Sequence, residues 1–326
     1  MKQNLFERHH QANWKAFAEL LDRLERGKAD ARACESFAGD YRQICQHLAL
    51  AQERGYSSHL VDHLQRLAMR GHQQFYRHRS HLGARLLGFV LGGFPRLVRD
   101  QWRSIAAASL LFYGSLLVMG LLVHNWPDLV YSLLDPEQVS SMESMYDPDA
   151  RRIGPMSERD AGDDWMMFGH YIMNNIGIAF QTYAGGLLLG IGSLFFLFFN
   201  GLYIGAVAGH LTQIGFGETF WSFVIGHGAF ELTAIAFAGA AGLQLGWALL
   251  APGRLPRAEA LRLAAGRSVQ LVAGVILLLV IAAFIEAYWS SIRLVEPQVK
   301  YLVGAGLWLL VGVYFGLVGR RAHAAD

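Results

Sequence analysis

Four ionisable side chains stand inside long apolar runs: His210, His227, Glu231 and Glu286. His227 and Glu231 are four residues apart, so on a helix they point the same way. An ionised group at mid-membrane costs about 3 kcal/mol on insertion scales, so these groups should face protein or water and should pair. Three kinds of chemistry fit them. They can pair with one another and with Asn174, Asn175 or Asn200, locking helices together. They can line a polar site on an ion or solute path, as in a channel or transporter. They can bind a metal or exchange protons, as a metal-dependent intramembrane enzyme would. The spacing His-x-x-x-Glu is not the His-Glu-x-x-His of zinc proteases, and no nucleophile elbow or phosphate loop is present. The reading assigns no catalytic residue, no metal site and no cofactor.

The segment that must position His227 and Glu231, residues 218 to 246, is long enough to cross a bilayer and dense in Gly and Ala. Stripes of glycine at four-residue spacing recur: Gly186 with Gly190, Gly201 with Gly205 and Gly209, Gly242 with Gly246, and Gly312 with Gly316. Such stripes let helix backbones approach closely, which is how helices associate in lipid. Packing within one chain is the plain reading, and contact between copies in a homo-oligomer is the sharper one.

The whole chain of 326 residues is 53% hydrophobic and 17% charged, but the charge is unevenly placed. Residues 1 to 104 carry 17 Lys and Arg against 10 Asp and Glu; apolar runs of membrane length follow. The expected class is an all-α, polytopic membrane protein with about six transmembrane helices and an N-terminal soluble helical bundle. Residues 1–82 should form a three-helix domain over about 4–26, 31–53 and 58–79, with Leu5, Trp14, Leu60, Leu64, Leu67, Met69 and Phe75 among its inward positions. The first thirty residues lack the apolar core of a signal peptide, which places this domain in the cytoplasm. Cys34 and Cys45 are too far apart on one helix to bridge and read as free thiols. His59 and His63 share a face but have no third partner at ligand spacing, so they read as surface histidines.

Residues 83–103 form a basic amphipathic segment, with Arg85, Arg96, Arg99 and Arg103 set for the membrane surface and its headgroups. The region 104–321 is then the transmembrane bundle. Its first span is about 104–124. The loop 125–165 carries 10 acids and 3 arginines and is expected outside, with one short helix near Ser157. Asn174 and Asn175 open an apolar run that Asn200-Gly201 interrupts, read as a tight hairpin between two spans or, alternatively, as a kink leading to a re-entrant piece. Arg254, Arg257, Arg262 and Arg267 mark a basic inner loop, and spans near 268–291 and 301–319 complete the count with both termini inside.

The chain resembles the stage II sporulation protein M family of bacterial membrane proteins. In the first half the resemblance rests on Tyr41-Arg42, HLALAQERGY, and HLVDHLQRLAMRGHQQFYR at 59 to 77. In the second it rests on Asn175, Asn200-Gly201, His227-Gly228 with Glu231, AGAAGLQLG at 238 to 246, and Phe284 to Glu286. It excludes the 125–165 loop. The positions carried over are Asn200, Gly201, His227, Gly228, Glu231 and Glu286. The resemblance implies the cytoplasmic (inner) membrane of a bacterium and a scaffold without catalytic activity of its own. The leading expectation is therefore a non-enzymatic membrane protein that docks protein partners through its cytoplasmic domain in a cell-envelope process. The alternatives are a channel or transporter with its site at His227, Glu231 and Glu286, and then the metal-dependent enzyme. Nothing in the sequence points to a nucleic-acid partner.

Overall fold

The computed structural model describes residues 2–26, 31–75, 82–149, 161–292 and 294–320. Every regular element among these residues is helical. The chain divides into two compact units, Met1–Gly83 and Ala84–Asp326.

The first unit holds α1 (Gln3–Glu25), α2 (Ala31–Glu53) and α3 (Ser58–Phe75). Helical spacing puts Phe6, Trp14, Phe17 and Leu21 of α1 against Phe37 and Ile44 of α2 and Leu60, Leu64 and Leu67 of α3. Water drives this burial, since apolar area removed from it stabilises by about 25 cal/mol per Å². Gly55 supplies the left-handed backbone (φ 61°) of the α2–α3 turn. The Gln3 side chain closes that turn by donating to Ser57 Oγ and accepting from the Ser57 amide. Two inward assignments fail. Leu5 is 60% and Met69 55% exposed, because Phe6 and Leu67 take the facing positions one and two residues away. The end of the third helix beyond Phe75 lies outside the described residues; of the Phe75 and Cys34 side chains nothing is described.

In the second unit, α4 (Leu82–Gly88), a π-helical turn (Phe89–Gly93) and α5 (Phe94–Asp100) lead into α6 (Trp102–Asn125). A 3-10 turn (Pro127–Ser132) and α7 (Pro136–Tyr146) follow. Then come α8 (Ala161–Ala184), α9 (Ile191–Gln213), α10 (Gly217–Leu250), α11 (Arg257–Ile285) with a π-helical turn (Glu286–Ser290), and α12 (Pro297–Leu317). Among the described residues five stretches are long and apolar enough to cross a membrane: α6, α9, α10, α11 with its π turn, and α12. α8 has the length, 24 residues, but carries His170, Asn174 and Asn175. Consecutive long helices alternate in direction, so one end of the bundle carries α7 and the other the arginine-rich connections.

The hairpin is not at Asn200-Gly201. Both residues lie inside α9, which runs unbroken through them. In lipid the backbone must satisfy itself, so Asn-Gly does not act as the turn signal it is in water. The Asn200 amide instead donates to the Phe196 carbonyl one turn back (2.7 Å), and Gly201 lets α9 press on Phe112 and Ser115 of α6. The turn lies between α8 and α9, where Leu189 (φ 56°) and Gly190 (φ 85°) are left-handed. Asn174 and Asn175 accordingly sit well inside α8 rather than opening a span. The 125–165 loop holds a helix that the sequence reading did not place, α7, closed by a capping box between Asp135 and Gln138. The Ser157 region lies outside the described residues.

The glycine stripes pack within the chain. Gly205 and Gly209 meet Leu116 and Gly120 of α6, and Gly186 and Gly190 meet Gly242 and Gly246 of α10. Gly312 and Gly316 of α12 are the exception, with nothing within 4 Å of a Cβ at either. The basic segment also departs from a purely surface helix. Arg85 and Arg103 are exposed, and Arg96 is half-buried. Phe94, however, is fully buried against Gly274, Phe237 and Phe315, and Arg99 donates to the Phe315 carbonyl (2.8 Å).

Candidate functional site

α10 is the most enclosed long helix of the bundle and contacts α6, α8, α9, α11 and α12. His227 and Glu231 stand about 15 and 21 Å along it from Gly217, at 1.5 Å per residue. Glu286 opens the π turn that ends α11. The three side chains converge: a nitrogen of His227 and one carboxylate oxygen from each glutamate all lie within 4.8 Å of one another. His227 Nε2 is 3.9 Å from Glu231 Oε2. Its Nδ1 is 3.1 Å from Ser290 Oγ, so the ring is fixed from one side and faces the carboxylates with the other. Gly226 of α10 faces the side chains of Ile285, Trp289 and Ser290.

The π turn widens the helix by one residue, and such turns recur at functional sites. Here it supplies both Glu286 and Ser290 to the cluster. The Ser290 carbonyl accepts from Lys300 Nζ of α12 (2.8 Å), a lysine only 3% exposed. The site therefore joins three helices. The His227 side chain is 6% exposed and that of Glu231 19%.

α7 closes over the same end of the bundle. Tyr146 packs its ring on Phe220 and Phe223, and Phe223 in turn contacts the His227 ring. The Tyr146 carbonyl accepts from Thr219 Oγ1 (2.5 Å). Burial first, then the nearby Glu286 carboxylate, the Tyr171 phenol and the Glu231 carboxylate, push the Tyr146 hydroxyl pKa above its ordinary value.

Of the residues expected at one polar centre, the structure gathers His227, Glu231 and Glu286, with Gly228 between the first two on α10. His210 is elsewhere: its Nε2 lies 2.8 Å from Glu143 Oε1 of α7, so it anchors that helix. Asn200 bonds back to a carbonyl of its own helix and Gly201 packs on α6. Asn174 donates to the Asn175 side chain (3.0 Å), and the Asn175 amide nitrogen is buried with no partner among the described residues. Sequence reasoning missed Ser290, Lys300 and Tyr146. Ser290 was findable, since it follows Glu286 by four residues. Lys300 stands near the start of a span, where lysine normally reaches the headgroups. Tyr146 carries no signal, because its loop reads as polar.

The fold and site define a polytopic helical membrane protein with an ionisable cluster enclosed in its bundle. A family model described as Stage II sporulation protein M matches residues 108–291, more than half of the chain, and the chain belongs to that family. The match includes the 125–165 loop that the resemblance excluded, and all six residues carried over. Residues 4–77 match a different model, described as a domain of unknown function (DUF8413). Comparison with curated proteins and with solved structures finds no match.

Proposed function

We propose that this protein handles ions in the bacterial inner membrane, as a non-enzymatic channel or transporter whose site is His227, Glu231 and Glu286. One observation carries the reading: three ionisable side chains from two helices converge inside the bundle. Ionisable groups held within a membrane bundle are costly and mark ion or proton paths. The excess of Lys and Arg before α6 supports an inward N-terminus, and the alternating helices then return the C-terminus to the same side.

The test is flux in vesicles reconstituted with the purified full-length protein. Wild-type vesicles pass protons or cations, and Glu231→Gln abolishes this while its elution profile and thermal midpoint stay those of a folded protein. Wild-type vesicles tight to protons and cations overturn the reading.

A second reading, a partner-docking scaffold, is favoured by the first unit. It has its own core and its own family match, separate from the membrane bundle. Pull-downs with residues 1–83 deleted would lose partners on this reading; an unchanged partner set counts against it.

A further inference from the structure

We propose that the His227–Glu231–Glu286 cluster binds a divalent transition-metal ion, held by His227 Nε2 and one carboxylate oxygen from each glutamate. The proposal rests on reading the cluster as an ion site and names the ion's class.

The donor set argues for that class. Mg²⁺ and Ca²⁺ take oxygen ligands, whereas an imidazole with carboxylates suits Zn²⁺, Fe²⁺, Co²⁺ or Mn²⁺. The charge argues for a dication, because two carboxylates enclosed in lipid are neutralised by it in one event. The geometry is nearly in place. Around an ion with bonds of about 2.0–2.2 Å, tetrahedral donors sit roughly 3.3–3.6 Å apart. The His227–Glu231 separation is 3.9 Å, and all three donors lie within 4.8 Å of one another.

The groups behind the donors fit as well. A metal-bound histidine normally donates its other ring N–H to a fixed acceptor. Ser290 Oγ stands in that position, 3.1 Å from His227 Nδ1. Lys300 adds a positive charge on the Ser290 carbonyl (2.8 Å), which limits affinity for a cation. An ion that must leave again needs such a limit.

The experiment titrates chelator-stripped full-length protein, without a histidine tag, in lipid nanodiscs with Co²⁺ and, separately, Mg²⁺ and Ca²⁺. The expected result is one Co²⁺ per chain with visible d–d absorption and no thiolate charge-transfer band, and at least tenfold weaker binding by Mg²⁺ and Ca²⁺. Glu286→Gln and His227→Gln each weaken Co²⁺ binding at least tenfold. If one variant fails to fold, judged by its thermal midpoint, the other is read. No stoichiometric Co²⁺ binding, binding unchanged in a folded variant, or equal binding of Mg²⁺ overturns the proposal. Proton or alkali-ion flux lost in Glu231→Gln, without Co²⁺ binding, overturns this proposal and leaves the ion-path reading standing. Co²⁺ binding in vesicles tight to every ion does the reverse.

Discussion

The three-helix unit and the membrane bundle are both all-helical, yet they are held together in different ways. In the first, large side chains meet across the interfaces, and Phe6, Leu21, Ile44 and Leu64 are almost wholly enclosed. In the second, backbones meet. Gly186 lies on Gly242, Gly190 on Gly246, and Gly205 and Gly209 on Gly120. Water rewards burying large apolar groups, whereas lipid is as apolar as leucine and rewards close fit. Polar groups follow the same division. In the first unit an aromatic and imidazole cluster joins Phe6, His10, Trp14 and His47 under the surface. In the bundle His227, Glu231 and Glu286 are gathered at one place between α10 and α11, and His210 pairs separately with Glu143 of α7.

This contrast can be broken by substitution. The largest effect should come from Gly242→Leu, whose side chain would overlap Ser193 and the backbone carbonyls of Thr182 and Tyr183. None of those carbonyls can move without shifting a helix, so the variant should fail to assemble or lose more than the usual 1–3 kcal/mol (about) of overpacking. Yield of monodisperse protein after membrane extraction checks this. A size-exclusion profile like that of wild type would mean the glycine contacts do not hold the bundle.

The first unit should instead respond to cavities. Leu64→Ala removes a fully buried side chain and should cost about 2–5 kcal/mol. Hydrogen exchange in the full-length chain should speed up across α1–α3 and stay unchanged in α9 and α10. Equal acceleration in both regions would show that the two units do not unfold separately.

The smallest expected effect is on pH. Burial, then the neighbouring His10, lowers the pKa of His47. Trp14 Nε1 donates to His47 Nδ1 (3.1 Å), a contact that needs the ring nitrogen unprotonated. A folded-state pKa below the unfolded value of about 6.5 means that protonation favours unfolding. Stability of this unit should therefore be constant above about pH 6.5, fall as the pH drops below it, and level off below the folded-state pKa. Exchange rates in α1 and α2 between pH 7.5 and 5, corrected for intrinsic rates, report it. In His47→Gln the slope should shrink.

The sequence made helices legible because periodicity and apolar length survive any packing. It shows α1, α2 and the start of α3 nearly to the residue, with the limits of α6, and it singles out His227, Glu231 and Glu286 as a group. It misplaced the turn because Asn200-Gly201 carries the stronger dipeptide signal, while the actual turn at Leu189-Gly190 lies within a glycine-rich apolar run. Turn preferences measured in water rank the two in the wrong order for lipid. His210 was grouped with the others because depth in a span is visible in sequence, while direction is not. It points to Glu143 on α7, a helix that its polar composition concealed. Tyr146 and Lys300 came to the site through tertiary packing alone.

The ion-path reading of the cluster depends on water reaching Glu231. The direct test is thiol accessibility in a background lacking Cys34 and Cys45. Glu231→Cys and, separately, Ala234→Cys, a fully enclosed neighbour on α10, are treated with a charged, membrane-impermeant methanethiosulfonate. The account predicts modification at position 231 and none at 234, with the rate at 231 reduced by added Co²⁺. An unreactive thiol at 231 in a folded protein would contradict it, and would make the cluster a lock between helices rather than a path.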